Sequence, residues 1–151
     1  MTTVFVDSNV VVYSLDHRNP SKHRSAQEWL KRLGHSDLLT MSPQVLNEAY
    51  AVLTLKHRLH PTEDGVRKTL GQLAPWVKAP LDLRVTFNAW ALQDRYRLRI
   101  WDALLLASAN AAGCAYFLSE DLSDGQRYGG VQVINPFRHA PEDVLGRASR
   151  N

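Results

Sequence analysis

With 151 residues, 18 Lys and Arg against 15 Asp and Glu (net charge +3, pI near 9.2) and 44% hydrophobic residues, the chain has the size and composition of one globular domain. A chain of this length buries enough surface to fold without disulfides or a structural metal, and its single cysteine, Cys114, excludes both an internal disulfide and a CxxC zinc cluster. No apolar run approaches the roughly 18 residues of a membrane span, and the opening MTTVFVDSNVVVYSLD lacks the basic flank of a secretory signal, so a reducing cytoplasm is the expected compartment.

In chain order, residues 3–6 read as a short buried strand that stops at Asp7, followed by helix over 9–15 and again over 20–33, with Gly34 as the expected stop. Residues 38–41 form a second candidate strand. Ser42-Pro43 supplies a capping hydroxyl and a proline at the first helical position, starting a helix over 43–57. Pro61 and Thr62 punctuate before a helix over 63–73, and residues 76–81 suggest a third strand. Residues 83–97 and the very apolar 101–112 read as helices, the second closed by Gly113. Residues 115–118 are a further buried strand, SEDLSDGQRYGG is loop, 131–134 is the last strand, and a polar, loose tail follows Pro136. Short apolar strands alternating with helices predict an α/β fold, a three-layer α/β/α sandwich with a central parallel sheet of about five strands. Residues 1–137 make the domain and 138–151 the polar C-terminal tail.

Parallel sheets take ligands just beyond the carboxyl ends of their strands. Asp7 ends the first strand, and Asp121 and Asp124 follow the strand AYFL. Asp102 heads the most apolar helix. Glu48 lies on the shoulder of the stripe Val45, Leu46, Ala49, Val52 and Leu53, where its carboxylate can lean toward the sheet. Singly, each acid has a plain alternative. Asp102 can cap its helix, Asp7 with Ser8 and Asn9 can be a strand-to-helix turn, Glu48 a boundary residue, and Asp121 and Asp124 turn residues beside Gly125. Their joint order is more specific.

Together, VFVDSNVVVYSLD, SPQVLNEAYAVL, IWDALLLASANAAGCAYFLSEDLSDG and VINPF resemble the PIN domains, most closely the compact VapC-type toxins of bacterial toxin–antitoxin pairs, over nearly the whole chain. The resemblance implies that Asp7, followed by Ser8 and Asn9, is the first acid of the site, Glu48 the second and Asp102 the third. Asp121 matches the fourth, with Asp124 near enough to assist or replace it and Ser119 as the small hydroxyl residue ahead of it. The resemblance further implies a PIN-like nuclease that cuts RNA with Mg²⁺ or Mn²⁺, a homodimer, and a small antitoxin whose tail fills the acidic groove.

Chemistry points the same way. Clustered carboxylates repel one another, and a hard divalent cation removes that conflict. Four acids without His or Cys favour Mg²⁺ or Mn²⁺ over zinc. Asp7, Asp102 and Asp121 are the expected metal ligands. Glu48 is a further ligand or orients the nucleophile, and Ser8, Asn9, Ser119 and Asp124 support them. His17, His23, His35, His57, His60 and His139 read as surface or helix-end residues. A basic rim must hold RNA against an acidic pocket, and two runs offer one: Arg18, Lys22, Arg24, Lys31 and Arg32, and Arg95, Arg97 and Arg99. Trp101, Tyr96 and Tyr128 are candidates for stacking bases, core packing being the default for Trp101. Apolar parts of the first helices are the expected protein interface. Three other functions compete: a catalytically silent PIN-like module that binds RNA or protein; a phosphohydrolase with Asp7 as nucleophile, which wants a second acid where Asn9 stands; and a receiver-like signalling domain, which wants a lysine after a later strand that SEDLSDGQRYGG does not offer.

Overall fold

The computed structural model describes residues 2–55 and 62–147. Strand β1 (Val4–Val6) lies inside a five-stranded sheet of order β2-β1-β3-β5-β4. Its parallel neighbours are β2 (Leu39–Thr40) and β3 (Tyr116–Leu118), and β5 (Val131–Ile134) runs parallel to β3. Successive strand residues point to opposite faces, yet Val4, Phe5 and Val6 are all fully buried, so helices cover both faces of the sheet. Phe5 stacks on Phe117 of β3 with ring centroids 5.3 Å apart.

Seven helices accompany the sheet among the described residues: α1 (Ser8–Leu15), α2 (Pro20–His35), α3 (Pro43–Leu55), α4 (Glu63–Gly71), α5 (Leu83–Tyr96), α6 (Ile100–Ala111) and α7 (Pro141–Leu145). Local chemistry starts several of them. Asn19 accepts from the Lys22 N–H at the head of α2, Thr62 from Gly65 at α4, and Asp82 from Val85 at α5. From β1 the chain crosses to β2 on one side through α1 and α2, then to β3 on the other side through α3 to α6. The winding reverses at β1, which leaves a crevice at the carboxyl ends of β1 and β3. The Asp7 N–H donates to the Leu118 carbonyl at 3.0 Å, so both strand ends open onto it.

The α/β sandwich matches the expectation, with four local corrections. Helix α2 runs through Gly34 to His35, because Gly34 packs beside the Trp76 indole and the chain turns only at Asp37. Residues 76–81 form no strand. A 3₁₀ turn (Ala74–Trp76) and a single bridge from Met41 to Val77 replace it, in a stretch bounded by Pro75 and Pro80, which donate no backbone hydrogen bond. The fifth strand is instead β4 (Arg127–Tyr128), inside the predicted loop and antiparallel to β5. Gly129-Gly130 joins the two as a hairpin. Gly129 has φ +63°, and a Cβ there would stand 2.8 Å from the Asn110 Oδ1.

Last, the C-terminal segment is docked as far as Gly146 rather than loose. The Trp29 indole donates to the carbonyls of Pro136 (3.2 Å) and His139 (2.9 Å), and Arg32 donates to that of Gly146. The end of the predicted 43–57 helix, at residues 56 and 57, and His60 and Pro61 lie outside the described residues.

Candidate active site

Asp7 sits where β1 becomes α1 and caps that helix, its Oδ1 accepting from the Ser8 N–H at 2.6 Å and the Ser8 hydroxyl at 3.3 Å. Its Oδ2 accepts from the Ser119 hydroxyl at 2.7 Å and from Asn9 Nδ2 at 3.2 Å. The side chain is 3% exposed. Asn9 ties this carboxylate to the loop after β3. Its Nδ2 also reaches Asp121 Oδ2 at 3.0 Å, and its Oδ1 accepts from the Glu120 N–H at 3.4 Å. The Asp121 N–H in turn donates to Ser119 Oγ at 3.1 Å. The turn reading of Asp7 and the site reading are therefore the same geometry.

The other two acids come from helices. Glu48 is half-buried on α3, with Gln44 one turn before it donating to Glu48 Oε2 at 3.5 Å and to the Trp101 carbonyl at 3.0 Å. Asp102 is half-buried in the first turn of α6. It does not cap that helix: Arg99 holds the cap position, and its side chain makes no capping hydrogen bond.

Charge couples these acids in a closed circuit. Burial above all pushes Asp7 up to about 7; the bonds from Ser119 and Ser8 oppose it, and the charges of Glu48 and Asp121 add to it. Burial also raises Glu48, opposed by Gln44 and reinforced by Asp102. Asp102 is raised by burial, lowered in part by Arg99, and raised again by Asp121. Among the described residues no Lys, Arg or His forms a salt bridge with any of the four, whereas neighbouring acids are paired: Glu120 with Lys22, Asp16 with Arg18, Asp124 with His139.

Asp124 stands apart. Its Oδ1 accepts from the Asn135 N–H at 2.9 Å and its Oδ2 meets His139 Nε2 at 2.7 Å. Burial works against its charge, but these bonds outweigh it and hold the carboxyl below its usual range. Asp124 thus fastens the β3–β4 loop to the C-terminal segment and does not join the other acids. The base-stacking candidates sort differently as well. Tyr128 is buried, Tyr96 packs edge-on against it at 5.0 Å, and Trp101, expected in the core, is 55% exposed.

Sequence reasoning missed Gln44, and it placed Lys22 on a basic rim for RNA without foreseeing its pairing with Glu120. The first had a signal, since residues four apart on a helix share a face. The second had none. Lys22 pairs with Glu120, 98 residues away, while lying 5.0 Å over the Tyr13 ring and 5.2 Å over that of Phe137, and so braces the loop that carries Asp121.

The donor set, carboxylates with no His or Cys, is of the kind a hard divalent cation takes. Carboxylates gathered without a salt bridge to any of them, as these are among the described residues, are stabilised most by a positive ion placed between them. Among the described residues, no three acid or His side chains converge tightly enough to grip one ion directly as they stand.

The PIN domain profile matches residues 4–123, a span that holds all four acids. The chain belongs to the PIN domain family. Three solved structures share this PIN fold. VapBC2 of Rickettsia felis, bound to a promoter DNA fragment, is 14% identical with a TM-score of 0.63 over 87% of this chain and 97% of that one. A toxin–antitoxin complex of Klebsiella pneumoniae is 20% identical with a TM-score of 0.62, covering 89% and 98%. VapC20 of Mycobacterium tuberculosis, a sarcin–ricin loop-cleaving toxin, is 20% identical with a TM-score of 0.60, covering 79% and 92%. No curated protein matches the sequence significantly. No helix among the described residues of this PIN domain is long and apolar enough to cross a membrane.

Proposed function

We propose that this PIN domain is an endoribonuclease that hydrolyses RNA phosphodiester bonds with Mg²⁺ or Mn²⁺, and that it is the toxin of a toxin–antitoxin pair. The observation that carries this reading is the electrostatic coupling of Asp7, Glu48, Asp102 and Asp121, from four distant segments, with no salt bridge to any of them among the described residues. Asp7, Asp102 and Asp121 would hold the metal, which when bound lowers the pKa of a water and neutralises charge on the phosphodiester. Glu48, half-buried and raised, is suited to orient that water and accept its proton, or to serve as a further ligand. Ser8, Asn9 and Ser119 hold the carboxylates in register. Asn9 speaks against the phosphohydrolase reading, since its amide bonds Asp7 where that chemistry wants an acid.

The toxin role is supported by the shared fold of two structures described as VapBC or toxin–antitoxin complexes. Apolar side chains left in water support a protein partner, an antitoxin or a second copy. They do not lie on α1 or α2, as the sequence led one to expect. Leu83, Phe87 and Trp90 form a stripe along α5, and Val52 and Leu55 end α3.

The test is incubation of purified protein with total RNA in Mg²⁺, Mn²⁺ or EDTA, beside a Glu48→Gln variant. Cutting that needs the metal and is lost in the variant, together with growth arrest on expression of the natural chain alone, is the expected result. Equal RNA patterns in all lanes would sink the nuclease reading.

A further inference from the structure

Beside the acids runs a groove of about 420 Å³ between α3 and α6, lined by Gln44, Asn47, Glu48, Ala51, Leu81, Trp101 and Leu104. Its walls are apolar apart from two amides and the Glu48 carboxylate. Size and lining are those of a site for one small, mostly apolar ligand fixed by a few polar groups. We propose that this groove is a nucleobase subsite, in which a base next to the scissile phosphate of single-stranded RNA stacks on Trp101 while its edge faces the amides of Asn47 and Gln44.

This inference rests on the ribonuclease reading, and four observations select a base as occupant. Glu48 belongs both to the acid circuit and to the groove wall, so the two are continuous and a nucleotide neighbouring the reacting phosphate has the groove directly before it. Trp101 is 55% exposed although it belongs to the most apolar helix of the chain, and an indole left in water beside a phosphate site is what single-stranded RNA recognition uses. Gln44 is only 8% exposed, and its Oε1 has no partner among the described residues. Its Nε2 already serves the Trp101 carbonyl, which fixes the orientation of the amide, so the orphan atom is an acceptor. The atom is closed to solvent, so a base-edge N–H, which every nucleobase carries, meets it only once the Gln44 side chain turns into the groove. Finally, the charge of Arg99, one turn before Asp102, reaches both Glu48 and Asp102, and so supplies a cation for the phosphate at this end of the groove.

The experiment measures binding of single-stranded octaribonucleotides, one of mixed sequence and one abasic, by fluorescence anisotropy with Ca²⁺ present. The natural chain is compared with Trp101→Ala and Trp101→Phe, each checked for an unchanged urea midpoint. Trp101→Ala is expected to weaken the mixed octamer about tenfold or more, Trp101→Phe to restore most of that, and the abasic octamer to bind all three alike. Equal binding of the mixed octamer by natural chain and Trp101→Ala would overturn the subsite, as would an equal loss on the abasic octamer. Unchanged RNA binding together with loss of a copurifying protein would assign the groove to a peptide and overturn it too. A natural chain that binds no octamer but still shows metal-dependent cutting rejects the subsite alone; one that does neither rejects the nuclease reading with it.

Discussion

In the absence of divalent metal, an Asp7→Asn variant is expected to be more stable than the natural chain at pH 8 and to lose that advantage by pH 4, while its RNA cleavage falls by about a thousandfold or more. The sign follows from burial. Asp7 is 3% exposed, and its carboxyl is pushed up to about 7. Between the ordinary carboxylate range and that value, the folded chain holds a proton that the unfolded chain releases. Stability is therefore fully present below about pH 4 and is lost as pH rises toward 7, by on the order of 2–4 kcal/mol. An amide does not titrate there. It keeps an oxygen for the Ser8 N–H and turns its nitrogen toward the Ser119 hydroxyl, at the expense of the contact from Asn9. Urea midpoints in EDTA at the two pH values measure the effect, and Mg²⁺ is expected to raise the natural chain at pH 8 but not the variant. An Asp7→Asn protein less stable than the natural chain at pH 8 would mean that the site is not a gathering of strained carboxylates.

Of the two acids after β3, Asp121 is expected to matter for cleavage and Asp124 for stability. Asp121→Asn should lower the cleavage rate by about a hundredfold or more, because it removes a carboxylate coupled to Asp7 and Asp102 and held by Asn9. Asp124→Asn should leave cleavage within about threefold but lower the urea midpoint at pH 7, since it breaks the contact with His139. The carboxyl of Asp124 is held below its usual range, so its contribution is present at neutral pH and disappears as pH falls through the carboxylate region. Cleavage rates and midpoints for the two variants, side by side, check the assignment. Reversed effects would exchange the roles of the two residues.

That division was not legible in the sequence, where SEDLSDG offers two acids three residues apart beside a turn glycine. What decides it is the partner each side chain finds across the molecule: Asn9 for Asp121, and Asn135 with His139 for Asp124. Neither pairing leaves a periodic trace. The sheet and its helices were legible because their signals are local, as with the buried run Val4–Val6 and the cap and proline before α2. The strand expected at 76–81 failed because an apolar run does not guarantee pairing when prolines stand in and beside it. Strand β4 had a usable signal in Gly129-Gly130, a dipeptide suited to a two-residue hairpin, beside only two paired residues. Trp101 misled because a helix apolar on nearly every face suggests complete burial, while its indole faces the groove beside Glu48.

The most direct test of the shared cation is a crystal of this chain soaked in Mn²⁺, with anomalous scattering recorded at the manganese edge. A peak among Asp7, Glu48, Asp102 and Asp121, absent from crystals of Asp7→Asn, is the expected outcome. Manganese bound elsewhere with nothing between these four side chains, in the fold described, would contradict it.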